Sequence, residues 1–107
     1  MKLIPFLFAS ATCIGLLSPV AHAQTDAATL FHARCAMCHG ADGHGNTPAG
    51  KAFKAVDYQD PAVMKMTDAE LTAIISNGKG KMPAYGKRLD ASQILGLVDY
   101  IRTLQKK

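Results

Sequence analysis

From position 27 onward the apolar residues fall into three stripes separated by glycine-bearing gaps. Ala28, Phe31, Cys35 and Cys38 recur three or four residues apart, the spacing that shares one helix face. Thr25 or Asp26 can cap this first helix, predicted to run through "AATLFHARCAMCH" and to stop at Gly40. The capping box Thr67-Asp68-Ala69-Glu70 opens a second helix through Leu71, Ile74 and Ile75, ending at Asn77-Gly78. Asp90, with Gln93 three residues on, opens a third, whose stripe is Ile94, Leu97, Val98, Ile101 and Leu104. Lys106 and Lys107 suit the negative end of its dipole. No stretch of strand length alternates with a period of two, so the fold class is all-α. The segment "GADGHGNTPAGKAFKAVDYQD" is expected to be irregular, with a short helical turn after it at Pro61 to Met64. "KGKMPAYGKRL" is a second loop, set by glycines and Pro83. Three helices joined by long loops make a thin core, which implies that a ligand organises them.

The N-terminus follows a different pattern. "MKLIPFLFASATCIGLLSPVAHAQ" has one positive charge at Lys2, an apolar run to Leu17, and small residues at Ala21 and Ala23. That order reads as a secretory signal cut after Ala23. The run is about 15 residues, short of the ~20 that span a bilayer, and Pro5 interrupts it. The expected division is a signal peptide at 1–23 and one domain at 24–107, exported to the periplasm and not inserted in a membrane after cleavage. Removing 23 of 107 residues leaves 84, one small domain. The precursor's net charge is +4, and cleavage removes one of its positive charges. The remaining charge is mildly basic and scattered. It lacks the dense runs of a nucleic-acid binder, but it could favour an acidic protein partner.

Cleavage also removes Cys13, leaving Cys35 and Cys38 as the two cysteines, inside "LFHARCAMCHGADGHG". A disulfide between them would close a trivial loop and stabilise little. On a helix, Cys35, Cys38 and His39 fall within an arc of about 100°. Two thiols so placed can add across two vinyl groups on one porphyrin edge, and the adjacent imidazole can reach the iron. Cys-x-x-Cys-His is for this reason read as a c-type haem attachment site. Zinc wants four ligands, and only His32 and His44 remain to complete a set; His32 is expected to face solvent. A thioredoxin-like dithiol opens a helix after a strand, whereas this motif closes one. With an export signal and no other cysteine, the reading is haem. A large apolar plate would also supply the missing core.

The second axial position decides whether iron is open for binding or closed for electron transfer. Met37 is tied between the cysteines, His44 follows His39 too closely, and His32 lies one turn before the motif. Met64 and Met66 flank a helix start and are expected core filler. Met82 stands on the loop between the last two helices, stiffened by Pro83, with glycines at 78, 80 and 86 permitting close approach. It remains either the second ligand or a loose loop methionine.

Together "LFHARCAMCHGADGHG", "TDAELTAIISNGKGKMPAYG" and "LVDYIRTL" make the chain resemble a class I c-type cytochrome, of the small bacterial monohaem kind, over nearly all of residues 26–105. The resemblance implies a cytochrome c fold, with three main helices and loops wrapped around one haem c. It implies thioethers at Cys35 and Cys38, a proximal bond from His39 and a distal bond from Met82. It further implies that the Pro48 carbonyl accepts the other ring N–H of His39. The first and last helices would cross where Ala27 and Phe31 meet Leu97 and Tyr100; Ala27 stands where many relatives have glycine. Lys51 and Tyr85 are candidates for the propionates. A shell of Phe31, Phe53, Ile74, Leu89, Leu97 and Tyr100 would exclude water, with an apolar slot between His39 and Met82. No catalytic residue is expected. The implied function is a monomeric periplasmic one-electron carrier between redox protein partners, with Lys79, Lys81, Lys87 and Arg88 as a rim for acidic surfaces. Two alternatives are an electron-accepting subunit of a periplasmic dehydrogenase, and a haem enzyme or sensor if Met82 is off the iron.

Overall fold

The computed structural model describes the backbone of residues 10–15 and 19–107, and side chains at 10–15 and from Asp26 onward. Residues 1–9 and 16–18, most of the expected signal segment, lie outside the described residues. Six helices follow in order: α1 (Pro19–Arg34), α2 (Ala36–His39), α3 (Pro48–Phe53), α4 (Pro61–Met64), α5 (Asp68–Asn77) and α6 (Ala91–Gln105). Among the described residues, β-pairing is confined to one isolated antiparallel bridge, Lys79 with Met82. The all-α expectation holds. No described helix is long and apolar enough to cross a membrane.

The two strongest capping signals act as expected. Thr67 Oγ1 accepts from the Glu70 amide at 3.1 Å while Glu70 returns a carboxylate to the Thr67 amide at 2.8 Å. Asp90 and Gln93 make the same reciprocal pair at 2.8 and 3.0 Å. Each box satisfies two amides that the helix itself leaves free. Two boundaries differ from the sequence expectation. The first helix starts upstream of Thr25, and it breaks at Cys35, whose φ of −114° departs from helical geometry. Hydrogen bonds still carry the turn across the break: the Cys35 amide donates to Phe31 at 2.8 Å and the His39 amide to Cys35 at 2.9 Å. Helix α3 lies in the stretch expected to be irregular. Its start is a Thr47 cap on the Gly50 amide with proline at the first helical position.

The core forms where α1 packs against α6. Phe31, Leu97 and Val98 are buried to 0, 1 and 1 % exposure, and all five residues of the α6 stripe are buried. The Phe31 and Tyr100 rings meet with centroids 5.0 Å apart, and Ala27 is buried beside them, as expected of this crossing. From α5, Leu71 and Ile75 enter the core, four residues apart on one face, while Ile74 is only half-buried. Arg102 ties the layers together. It donates to the Asp68 carboxylate at 2.9 Å and to the Met66 carbonyl at 2.5 Å, pinning the entry of α5 to α6. Two expectations are corrected. Phe53, expected in a water-excluding shell, and Met64, expected as core filler, are 51 % and 45 % exposed. Both close single-sided short helices whose inward positions are taken by Gly50 and Val63.

Candidate functional site

Cys35, Cys38 and His39 sit at the junction of α1 and α2, and all described cysteines are free thiols. Cys35 packs against the edge of the core, Cys38 is half-buried, and Met37 between them is exposed. Burial pushes the Cys35 thiol up to about 11; Arg34 opposes this and Cys38 adds to it. At neutral pH Cys35 is therefore a protonated thiol, unlike the low-pKa cysteines of dithiol switches. Nor do three His, Cys, Asp or Glu side chains converge anywhere among the described residues in a metal-holding group. Zinc needs convergence of that kind. Addition to two separate vinyl carbons does not.

His39 is 8 % exposed, the one polar or charged residue in the buried set of the described chain. Burial lowers its pKa, and a backbone hydrogen-bond contact with Val56 opposes the shift. The imidazole is consequently neutral at pH 7, the form that ligates metals. Its Nδ1 is buried without a hydrogen-bond partner. The expected bond to the Pro48 carbonyl is thus not made. Pro48 is the first residue of α3, and the backbone contact with His39 comes from Val56, beyond the end of that helix. One side of the imidazole is covered instead by Tyr58, stacked at 4.8 Å with 22° between the planes.

The motif's backbone is gripped from α3. Thr47 Oγ1 donates to the carbonyls of Met37 at 2.5 Å and Cys38 at 3.2 Å. Gly50 lies so close to the Cys38 and Gly45 carbonyls that a Cβ there would overlap both. The Gly45 amide closes the loop onto the His39 carbonyl at 2.8 Å.

Met82 stands on the loop after α5. Its amide and carbonyl pair with Lys79 at 2.9 and 3.2 Å, and the amides of Tyr85 and Gly86 donate to Ile75 and Ser76. These bonds fold the 78–86 loop back on the end of α5. The Met82 side chain is half-buried against the same core cluster as Cys35. Tyr85 Oη donates to the Arg34 carbonyl at 3.3 Å, which joins this loop to the residue preceding Cys35. Lys51, the other propionate candidate, is exposed. Two clefts lie elsewhere: one runs along Asp42, His44, Gln59 and Leu104 to Lys107, and the other along Gly40 to Thr47. Neither is lined by His39 or Met82, so neither is the expected slot; the Tyr58 ring fills one side of His39.

Three contacts escaped the sequence reading: the Tyr58 stack, the Val56 backbone, and an ion pair of His44 with Asp57. His44 Nδ1 lies 3.0 and 3.1 Å from the two Asp57 oxygens. The one available signal was the run Val56-Asp57-Tyr58 itself, an aromatic following an acid in a polar loop.

A family profile described as "Cytochrome C oxidase, cbb3-type, subunit III" matches residues 22–101. The chain is 38 % identical to cytochrome c6 of Rippkaea orientalis, over 80 % of this chain and 77 % of that one. It is also 38 % identical to the cbb3-type cytochrome c oxidase subunit FixP of Azorhizobium caulinodans, over 72 % of this chain; the match spans about a quarter (26 %) of FixP. Among solved structures it is similar to the KustC0563 c-type cytochrome, with a TM-score of 0.69 and 26 % identity over 75 % of this chain and 98 % of that one. The site fits the group these similarities imply. Two thiols stand three residues apart, a buried imidazole nitrogen lacks a partner, and a thioether is half-buried on a loop tied to the same helix. A buried imidazole held neutral is the form that ligates iron.

Proposed function

Because the chain belongs to the class I c-type cytochromes and carries covalent haem c, we propose that it is an exported one-electron carrier with Cys35 and Cys38 as thioether attachments, His39 as one axial ligand and Met82 as the other. The observation that supports this most is the Tyr85–Arg34 bond, which holds the Met82 loop against the helix that presents the cysteines. The bound group supplies iron that gains and releases a single electron.

The chain's own residues then do three things. Neutral His39 is kept dry, at 8 % exposure, and so keeps its nitrogen lone pair free of protons. The loop bonds at Lys79, Tyr85 and Gly86 fix the Met82 thioether, and a His/Met pair raises the reduction potential relative to more donating ligand sets. The buried Phe31, Leu89 and Leu97 limit water nearby, which disfavours the extra charge of the oxidised form. A closed iron favours electron transfer over ligand binding.

Lys79, Lys81, Lys87 and Arg88 are exposed around the Met82 loop, with Lys81 Nζ 5.6 Å above the exposed Phe53 ring. They form the docking rim for an acidic redox partner, and its reaction rate falls as salt rises; a flat salt profile argues against the rim. The signal-peptide reading places cleavage after Ala23, within the α1 backbone, leaving the helix to begin near its Thr25 or Asp26 cap. The deciding experiment is an absorption spectrum of exported protein together with its mass. A low-spin spectrum with the weak far-red iron–sulfur band, and a mass of residues 24–107 plus one haem, are expected. A high-spin oxidised form that binds cyanide rapidly would replace the carrier with a haem enzyme or sensor.

A further inference from the structure

Resting on the reading of His39 as an axial ligand, we propose that Tyr58 is a positioning residue, one that sets the rotation of the His39 imidazole and keeps water from it. The two rings are offset and nearly parallel, with centroids 4.8 Å apart and 22° between planes. That is a favoured aromatic arrangement, and it holds a flat face along the imidazole plane. Nineteen residues separate the two in sequence, so the contact is built by tertiary structure.

Tyr58 is itself held more firmly than a loop residue needs to be. Its amide donates to the Gly43 carbonyl at 2.9 Å, and its carbonyl accepts from Gln105 Nε2 at 2.9 Å. Neighbouring Gln59 donates to the Lys107 carbonyl at 2.7 Å. Gly43 (φ +82°) leaves room for the ring: a Cβ there would stand 2.5 Å from Tyr58 Cδ2. Phe31 meets the ring at 6.2 Å. The two residues before Tyr58 face different ways. Asp57 turns outward to His44, while the backbone of Val56 reaches His39. Val56 and Tyr58 therefore meet the imidazole by backbone and by ring, while Asp57 between them ties the run to His44.

The consequence for iron is direct. In the oxidised low-spin state, the rotation of an axial imidazole about its bond to iron sets the splitting of the metal orbitals, which electron paramagnetic resonance reads as g-values. Water admitted beside the imidazole stabilises the extra positive charge and moves the equilibrium toward the oxidised form. Phenylalanine at 58 keeps the flat apolar face, whereas leucine removes it.

The test uses haem-loaded protein: wild type, Tyr58→Leu and Tyr58→Phe. Tyr58→Leu is expected to displace the g-values and to shift the reduction equilibrium about threefold toward the oxidised form, ~30 mV at 59 mV per tenfold for one electron. Tyr58→Phe restores both. In reduced wild-type protein, nuclear Overhauser contacts between the Tyr58 ring and the His39 imidazole are also expected, and their absence overturns the proposal even if Tyr58→Leu does not fold. Variants that lose stability while keeping wild-type g-values and potential make Tyr58 mere packing and overturn it as well. A wild-type protein without a low-spin His/Met spectrum overturns the ligand assignment itself, a result distinct from either of these.

Discussion

Replacing Phe31 by alanine tests whether the α1–α6 crossing is the mechanical base of the haem motif. The ring is 0 % exposed and meets Tyr100 at 5.0 Å and Tyr58 at 6.2 Å. Truncating a buried phenylalanine costs ~3–5 kcal/mol through lost transfer energy and the cavity left behind. The two ring contacts are worth ~0.5–1.5 kcal/mol each beyond their area, so Phe31→Leu, which keeps most of the volume, should still cost about 1–3 kcal/mol. At 0.05–0.15 kcal/mol per residue, a folded unit of roughly 80 residues has ~4–12 kcal/mol in total. Alanine therefore removes about a quarter of that at least, and can remove all of it. The loss also reaches the site, because the Phe31 carbonyl accepts the Cys35 amide at 2.8 Å. Guanidinium unfolding of haem-loaded protein, followed by circular dichroism and by haem absorption, measures it. Leu95→Ala, at a position 54 % exposed on the same α6, is the control and should stay within about 0.5 kcal/mol. If Phe31→Ala costs no more than Leu95→Ala, the crossing is not the core and the reasoning fails.

Met82→Ala should abolish the far-red iron–sulfur band and lower the reduction potential, and an unchanged band would remove Met82 from iron. Gly43→Ala combines a left-handed backbone with a Cβ 2.5 Å from Tyr58, and should cost about 1–3 kcal/mol in denaturant unfolding. The His44–Asp57 pair predicts a pH window. The pKa of His44 is raised, first by its hydrogen bond to Asp57 and then by that carboxylate's charge, so its contribution is full below the ordinary 6.5 and fades as pH climbs through the raised value. The pKa of Asp57 is lowered, first by the Gln59 amide and then by His44, so its contribution is full above the ordinary 3.8 and fades as pH drops toward the lowered value. The melting temperature of wild type should therefore exceed that of His44→Ala more at about pH 5 than at about pH 8; equal differences at both would refute the coupling.

What was legible in the sequence, and what was not, divides by the range of the forces involved. The caps of α5 and α6 act within four residues, so Thr67/Glu70 and Asp90/Gln93 could be read directly. The α6 stripe was equally plain, since a 3.6-residue period reports one buried face whatever it packs against. The Cys-x-x-Cys-His order was legible as chemistry because spacing alone decides whether two thiols and an imidazole share a face. Helix α3 carries no such stripe. "PAGKAF" forms a helix because Thr47 caps it and Pro48 suits its first position, and its packing relies on Gly50, whose role is to be small.

The surroundings of His39 were the least legible, for a physical reason. A buried imidazole can be seated by a carbonyl, a carboxylate or a ring, and nothing near residue 39 in the chain indicates which. The resemblance suggested the Pro48 carbonyl, nine residues away; the structure uses Val56 and Tyr58, at seventeen and nineteen. Those two depend on where the loop after α3 returns, and that return is set by Gly43 and by Gln105 at the end of α6, some sixty residues further on. The surroundings of His39 are thus assembled from both ends of the fold. A change in α6 that leaves every haem-attaching residue in place can still reach the iron: Gln105→Ala removes the Gln105–Tyr58 bond, and it should disturb the oxidised-state g-values in the same direction as Tyr58→Leu, though less.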